Sequence, residues 1–223
     1  MYFEIKKRVL VEESFWKKKW EDREIGFHQT AVNPMLEKYI HKLSLKTDDT
    51  VFVPLCGKSM DMQWLLSKGY SVIGCELIES AVEEFFAELK IDPEILIQKN
   101  YKIYQTDKLC IYVGDFFKLN ADIIGPVDAV FDRAALVALP TEMRKKYYDH
   151  LSTITDKAKQ LLITFSYDQN KLDGPPFSIE YKELQKGYNE YYQIKNLESY
   201  KGVEKLKGVV DIKHEIWLLL PLN

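Results

Sequence analysis

The sequence of 223 residues predicts an α/β fold in which helices cover both faces of a mostly parallel sheet. Short β-type runs alternate with amphipathic helices, and no internal repeat or Gly/Ser linker interrupts the alternation. The continuous apolar run at residues 50–55 is typical of a central parallel strand, which is buried on both faces. A chain of this length suits one α/β domain. We therefore predict a single doubly wound domain over residues 1–223.

The strands and helices follow one another in a clear order. The first predicted strand, Thr50–Leu55, leads into the tight turn 56–58, after which Ser59 caps a helix that Gly69 ends. A second strand ends at Glu76. Further predicted elements are a capping box at Ser80 and Glu83, a hairpin over 101–113, a strand over 127–131, a helix after Pro140, a strand over 161–167, and a final pair over 191–197 and 214–220.

Composition and charge argue against several classes of partner. The formal net charge is −3, and the local basic clusters have acidic neighbours, as on solvated helix faces. No run approaches the roughly 18 apolar residues that cross a bilayer, and residues 1–10 lack the apolar core of a signal peptide. We predict a cytoplasmic protein that binds neither nucleic acid nor membranes.

The cysteines and histidines give no sign of a metal site. Cys56, Cys75 and Cys110 are odd in number, and each lies in an apolar, strand-like run, which predicts buried reduced thiols. The histidines are scattered, so no metal is expected. The sequence also has no nucleophile elbow and no P-loop, and no catalytic residue can be identified. A reaction whose nucleophile belongs to the substrate fits that pattern.

Informative residues stand where four predicted strands end. In an open parallel sheet, ligands bind outside these carboxyl ends. Glu76 follows the turn glycine Gly57 by about 20 residues, the spacing at which a carboxylate accepts hydrogen bonds from ribose hydroxyls. Asp115 could accept a hydrogen bond from an adenine amino group, and Arg133 is a candidate clamp for a carboxylate. Each could instead be an ordinary strand end or turn.

The glycine turn distinguishes between two ligands that Glu76 could serve. A nicotinamide cofactor has a pyrophosphate, which the fingerprint G-x-G-x-x-G accommodates by close backbone approach. Here Gly57 stands alone between Cys56 and Lys58, so a ligand without pyrophosphate, such as S-adenosylmethionine, fits better. Upstream, Trp16 and Trp20 lie four residues apart on one predicted helix face. On pattern alone they indicate core packing.

Several motifs together resemble thiopurine S-methyltransferases. These motifs are FWKKKW at 15–20, IGFHQ at 25–29, VPLCGKSMDM at 53–62, GCEL at 74–77, DRAALVAL at 132–139, SYD at 166–168 and GPPF at 174–177. They run in the family's order from Trp16 to Phe177. The resemblance implies a Rossmann-like methyltransferase fold with a mostly parallel seven-stranded sheet whose last strand is antiparallel.

The resemblance also implies roles for individual residues. The cofactor, S-adenosylmethionine, would be bound by Trp20, Leu55, Gly57, Glu76, Asp115, Phe116 and Arg133, with Asp115 and Phe116 flanking the adenine. The acceptor would be bound by Trp16, Phe27 and Arg133. Residues 1–45 would form an N-terminal helical segment that covers the active site, and the aromatic residues would form its apolar lid.

The resemblance implies methyl transfer to the sulfur of a small (hetero)aromatic thiol. Two alternatives stay open. One is a methyltransferase for halide, selenium or tellurium compounds or another small nucleophile, and the other is a non-catalytic S-adenosylmethionine-binding protein. A nicotinamide-dependent enzyme is formally open, although the single-glycine turn speaks against it. The expected partner is a small thiol or chalcogen compound, and the expected oligomeric state is a monomer.

Overall fold

A computed structural model describes residues 13–203 and 205–222, and a nine-stranded sheet is their central feature. The strands are β1 Thr50–Pro54, β2 Ser71–Glu76, β3 Glu94–Gln98, β4 Tyr101–Gln105, β5 Leu109–Val113, β6 Ala129–Arg133, β7 Lys159–Ser166, β8 Tyr192–Lys201 and β9 Lys213–Pro221. Their order in the sheet is β3-β4-β5-β2-β1-β6-β7-β9-β8. Five adjacent strands of this order, β5, β2, β1, β6 and β7, run parallel to one another. In contrast, β9 runs antiparallel to both of its neighbours, β7 and β8.

Helices cover both faces of this sheet. They are α1 (residues 13–21), α2 Pro34–Tyr39, α3 Met60–Ser67, α4 Glu79–Leu89, α5 Ala121–Ile124, α6 Thr141–Ile154 and α7 Tyr181–Tyr188. On one face, Phe52 of β1 packs in a cluster with Tyr147 and Leu151 of α6. On the other, Val51 and Val53 share a cluster with side chains of α2, α3 and α4. Alternate residues of β1 therefore enter two cores, as its continuous apolar pattern predicts.

The doubly wound fold predicted from the sequence is confirmed, with β3 and β4 added at one edge. The other seven strands form the expected mostly parallel sheet with an antiparallel last strand. The predicted hairpin is β4–β5, and the predicted final pair is β8–β9. β3 is an unpredicted strand that pairs antiparallel with β4.

The ends of the helices match the prediction in two places and differ in one. Ser59 caps α3 by accepting a hydrogen bond from the N–H of Asp61, and Gly69 follows that helix with φ +89°. The capping box at Ser80 is wrong, because α4 already begins at Glu79 after Ile78. Ile78 is the N-cap and gives α4 no side-chain capping bond, while Glu76 accepts the N–H groups of Leu77 and Ile78 just before the helix.

The sheet has a topological switch point at β1. The chain passes from β1 through β2 and β5 on one side, and then crosses to β6 and β7 on the other. Crevices at such a switch point, outside the carboxyl ends of the strands, are the usual ligand sites of open α/β sheets. No helix in the described part of the chain is long and apolar enough to cross a membrane.

A buried carboxylate lies near this edge, on β6. Asp132 is fully buried and accepts hydrogen bonds from the Tyr147 hydroxyl at 2.8 Å and from the Leu136 N–H at 3.2 Å. Burial raises the pKa of Asp132 to about 6, and these donors offset part of the effect. The folded protein therefore binds this proton more tightly than the unfolded chain does.

Asp132→Asn is expected to remove a pH dependence of folding stability. The raised pKa of Asp132 stabilises the folded protein fully below pH 3.8, the ordinary pKa of the carboxyl group. This stabilisation is lost as the pH rises through about 6. Its size over that window is about 3 kcal/mol. Urea unfolding of both proteins at a series of pH values measures it as the difference between their free energies of unfolding. A difference that is constant with pH would contradict the expectation.

Candidate functional site

The turn after β1 has a backbone conformation that brings it close to Glu76. Gly57 has φ +52°, and its N–H donates to Glu76 Oε2 at 2.7 Å. Leu55, at the end of β1, also has a positive φ of +46°, which costs about 1–2 kcal/mol for a residue with a Cβ. Such strain is concentrated at functional sites. The turn is thus held in one shape by the adjacent strand end.

Glu76 presents a buried, hydrogen-bonded carboxylate at the end of β2. Oε1 accepts the N–H groups of Leu77 at 2.8 Å and Ile78 at 2.9 Å. Burial raises the pKa of Glu76, and the three backbone N–H donors act in the opposite direction. A carboxylate has about four acceptor sites, so three backbone bonds leave room for one more donor. A ribose hydroxyl would satisfy that remaining site.

The indole of Trp20 covers the glycine turn. Trp20 is 5% exposed and packs with Ile78 and Ala81 at the start of α4. A Cβ built on Gly57 would lie 3.3 Å from the Trp20 ring and 4.0 Å from Glu76 Oε2. The N-terminal segment, the turn and the end of β2 therefore meet at one point.

Gly57→Ala is expected to weaken cofactor binding and to destabilise the fold. The alanine Cβ would push on Trp20, and a left-handed φ costs a non-glycine residue about 1–2 kcal/mol. Gly208→Ala is the matched control, because Gly208 also has a positive φ but an added Cβ would meet nothing within 4 Å. Calorimetric titration with S-adenosylhomocysteine should show weaker binding for Gly57→Ala only. Equal affinities in both variants would contradict the assignment of the turn.

The lysine of the turn does not face a ligand. Lys58 Nζ lies 2.6 Å from Glu88 Oε1 and 3.0 Å from Glu84 Oε2, both on α4, and its side chain is 8% exposed. Its charge is therefore matched within the protein. A turn with one glycine and a neutralised lysine suits a ligand without pyrophosphate, and the carboxylate of Glu76 suits ribose hydroxyls. The turn and the carboxylate together thus fit S-adenosylmethionine.

Arg133 already holds a carboxylate, that of Asp61. Arg133 Nε donates to Asp61 Oδ2 at 2.6 Å, and its terminal nitrogens donate to Ser59 Oγ at 3.2 Å and to the Phe27 carbonyl at 3.3 Å. Asp61 is 1% exposed and also accepts the N–H of Asn33 at 2.7 Å. The pair thus ties β6, α3 and the N-terminal segment together beside the turn.

The three predicted lid residues form one aromatic cluster. The ring centroid of Phe27 lies 5.8 Å from that of Trp20 and 5.7 Å from that of Trp16, both in edge-to-face geometry. Trp16 and Phe27 are partly buried. Residue spacing alone predicts core packing for Trp16 and Trp20, and Trp20 is indeed buried in a small apolar cluster against which Trp16 and Phe27 pack. They provide an apolar wall next to the Arg133 guanidinium.

Asp115 and Phe116 follow β5 on the other side of Glu76. The N–H of Gly114 donates to the Glu76 carbonyl at 2.8 Å, so Asp115 is close to the end of β2. Asp115 Oδ1 accepts the N–H of Phe117 at 2.9 Å, and Oδ2 lies 3.8 Å from Lys118 Nζ. That distance is too long for a hydrogen bond, so Oδ2 can still accept one from a ligand. The ring of Phe116 is 5% exposed and packs against Tyr147 in the core. Contact between Phe116 and a ligand would therefore use its backbone.

The cysteines near the turn, Cys56 and Cys75, are free and buried. Burial raises the pKa of Cys56 and of Cys75 well above the ordinary value, and the negative charge of Glu76 adds to the shift. Both thiols therefore stay protonated at neutral pH. In the described part of the chain, no group of three or more His, Cys, Asp or Glu side chains is placed to hold a metal ion.

One continuous series of contacts joins most of the predicted site. It passes from Gly114 and Asp115 through Glu76 and Gly57 to Trp20, Phe27 and Arg133. The sequence analysis did not identify Asp61 and Ser59 as the residues that hold Arg133. The one sequence feature that pointed to Asp61 is its position in the first turn of the helix that follows the glycine turn.

Proteins similar to this chain in sequence include thiopurine S-methyltransferases from several organisms. A family model with the description "Thiopurine S-methyltransferase (TPMT)" matches residues 11–220, well past the last motif noted above. The chain is 48% identical over 206 residues to the thiopurine S-methyltransferase of Teredinibacter turnerae, covering 92% of this chain and 96% of that protein. It is 44% identical over 210 residues to that of Xanthobacter autotrophicus, covering 94% and 99%.

Solved structures similar to this one share its fold at low sequence identity. A S-adenosylmethionine-dependent methyltransferase from Anabaena variabilis has a TM-score of 0.63 at 14% identity, covering 94% of this chain and 95% of that one. The 1,6-didemethyltoxoflavin-N1-methyltransferase of Burkholderia thailandensis, solved with S-adenosylhomocysteine, has a TM-score of 0.63 at 12% identity, covering 96% and 89%. The Rossmann-like methyltransferase fold is thereby confirmed.

Proposed function

The chain belongs to the thiopurine S-methyltransferase family, and from that premise we propose that it methylates the sulfur of a small (hetero)aromatic thiol with S-adenosylmethionine as cofactor. The observation that carries the proposal is the buried carboxylate of Glu76 against the single-glycine turn. It supports a nucleoside ligand without pyrophosphate. The aromatic cluster beside it supports a flat, apolar acceptor.

We assign the cofactor contacts to the carboxyl edge of the sheet. Glu76 would accept a hydrogen bond from the ribose, and Asp115 Oδ2 would accept one from the adenine amino group. Leu55, Gly57 and Trp20 would pack against the ligand, and Phe116 would contact the adenine through its backbone. Arg133 would lie at the methionine end, where Asp61 and Ser59 fix the direction of its guanidinium.

The protein contributes mainly orientation to the reaction. When bound, the cofactor supplies a methyl group on a sulfonium sulfur, which a thiolate can displace in line. Trp16 and Phe27 would hold the acceptor ring and exclude water from it. An acidic aromatic thiol is already largely ionised near neutral pH, so we assign no residue as a dedicated base. The absence of a reactive thiol among the described residues of the site agrees with a substrate nucleophile.

We further propose that residues 1–223 form one domain and that residues 1–45 cover the active site. Three contacts support this cover: Trp20 on Gly57, the Phe27 carbonyl on Arg133 and the Asn33 N–H on Asp61. Residues 1–12 belong to the proposed segment but lie outside the described residues. The free cysteines agree with a cytoplasmic location.

Phe27→Leu is expected to raise the KM for an aromatic thiol severalfold while the Kd for S-adenosylhomocysteine stays nearly constant. An aromatic contact in the acceptor wall is worth about 0.5–1.5 kcal/mol beyond its area. Phe15→Leu is the control, because Phe15 contacts Trp16 but is 38% exposed. Steady-state kinetics of all three proteins, with iodide and selenite as competing acceptors, test the assignment. Turnover of these ions without turnover of thiols would favour the alternative function.

A further inference from the structure

The edge strand β3 exposes an unusual row of apolar side chains. Its sequence is Glu-Ile-Leu-Ile-Gln, and all five residues are exposed. Ile95 is 49% exposed, Leu96 38% and Ile97 77%. In the described part of the chain, β3 pairs with β4 alone, so its second edge has unpaired backbone N–H and C=O groups. Edge strands of natural proteins are normally protected by charge, proline or a bulge. Here Pro93 and Glu94 protect only the start of the strand, so Ile95, Leu96 and Ile97 have neither charge nor proline among them.

We propose that β3 pairs antiparallel with β3 of a second copy of this chain, about a two-fold axis at Leu96. The sheets of the two copies would then join into one continuous sheet. The pairing is isologous, since each copy gives the same surface to the other. This surface is distinct from the carboxyl edge of β1, β2 and β6 that forms the candidate site.

The side chains of β3 match one another in this register. Ile95 of each copy stands opposite Ile97 of the other, and Leu96 stands opposite its own counterpart. Ile95 and Ile97 lie on the sheet face of their β4 neighbours Tyr104 and Lys102, so four isoleucines would meet on one face. Apolar side chains that face each other across neighbouring strands stabilise the pairing of those strands.

The polar residues around the strand support the same register. Glu94 would stand opposite the neutral Gln98, whose amide can donate to the carboxylate. Lys99 would stand opposite Pro93 of the other copy, so this register places no two like charges opposite each other. A register centred on Glu94 would instead place two glutamates opposite each other, which is unfavourable. Both charge and apolar pattern therefore favour a centre at Leu96.

The interface is small, so the dimer should be weak. Five residues from each copy compare with about 20–30 residues a side in a standard interface. Dimers should appear only above about 10 μM chain, while a dilute activity assay would contain the monomer that the family resemblance favours.

Sedimentation of the full chain over a concentration series tests the pairing. Wild type should rise from the chain mass of 26.2 kDa towards twice that value. Ile97→Lys should weaken the association at least about tenfold, because it places a charge in the apolar cluster. Val209→Lys is the matched control, since Val209 is 54% exposed in a loop away from β3, and it should behave as wild type.

Single cysteines test the register directly. Across an antiparallel pair, opposite Cα atoms lie about 4.5–5.5 Å apart, within the range of a disulfide. Leu96→Cys should therefore form a covalent dimer under copper–phenanthroline in air, the added oxidant. Gln98→Cys should not, because its counterpart would lie about 13 Å away along the strand. Equal cross-linking at both positions, or none at Leu96→Cys, would overturn the register.

A wild-type monomer at every concentration would overturn the pairing itself. Dimers that form only after deletion of residues 1–12 would also overturn it, since the chain's own N-terminus would then be the occupant of this edge. The proposal requires that Ile97→Lys loses dimerisation while Val209→Lys keeps it, and that Leu96→Cys forms the cross-link.

Discussion

Glu76→Gln is expected to weaken binding of S-adenosylmethionine and S-adenosylhomocysteine by about tenfold to a hundredfold. A hydrogen bond to a charged acceptor is worth about 1.5–3 kcal/mol, and the substitution removes the charge that the ribose hydroxyl would meet. It also places an NH₂ group next to backbone donors: Glu76 accepts the N–H of Gly57 on one oxygen and those of Leu77 and Ile78 on the other. A glutamine amide can satisfy only one of these two sides.

The control for this variant is Glu79→Gln. Glu79 lies at the start of α4 and interacts with Lys102 and with the Tyr104 hydroxyl, away from the turn. Isothermal titration with S-adenosylhomocysteine should show weak binding for Glu76→Gln and equal affinities for wild type and Glu79→Gln. If Glu76→Gln binds as tightly as wild type, the ribose contact assigned to Glu76 is wrong. Thermal unfolding without ligand separates a binding defect from a folding defect.

Arg133→Met is expected to destabilise the folded protein by about 3–5 kcal/mol, because it leaves the carboxylate of Asp61 buried without its cation. Asp61 is 1% exposed, so water cannot replace the lost partner. Asp61→Asn combined with Arg133→Met should recover most of this loss, since an amide can still accept the Asn33 N–H. Chemical denaturation of the single and double variants gives the coupling free energy.

Arg144→Met serves as the comparison for Arg133→Met. The Arg144 side chain is 5% exposed, less than the 11% of Arg133, but the side chain of its partner Glu183 is 29% exposed and can be hydrated when the arginine is removed. We expect a smaller loss of stability there. Additive losses in the Asp61 and Arg133 double variant would show that the two side chains act independently. In that case Asp61 would not hold the clamp in place.

The parts of the site that follow local rules could be predicted from sequence. Glu76 and Gly57 are fixed by strand ends and by their spacing, and the structure joins them by a 2.7 Å hydrogen bond. Ser59 and Gly69 bound α3 as capping rules require. These features depend on a few consecutive residues, so their pattern is visible without a structure.

The missed parts depend on residues that are distant in sequence. Arg133 and Asp61 are 72 positions apart, and no local pattern indicates that they pair. Lys58 pairs with Glu84 and Glu88 of α4, 26 and 30 positions further along the chain, and no local pattern indicates these pairs either. The capping box misplaced the start of α4, because Ile78, which has no capping side chain, is the N-cap of this helix. β3 was missed because its apolar residues are exposed at an edge.

The most direct test of the central claim is the product of one reaction. The wild-type protein is incubated with S-adenosylmethionine carrying a trideuterated methyl group and with an excess of a heteroaromatic thiol, and the acceptor is analysed by mass spectrometry. We expect the labelled methyl group on sulfur, as an S-methyl thioether. Labelled product on another atom, or no labelled product while the cofactor still binds, would contradict thiol S-methylation by this site.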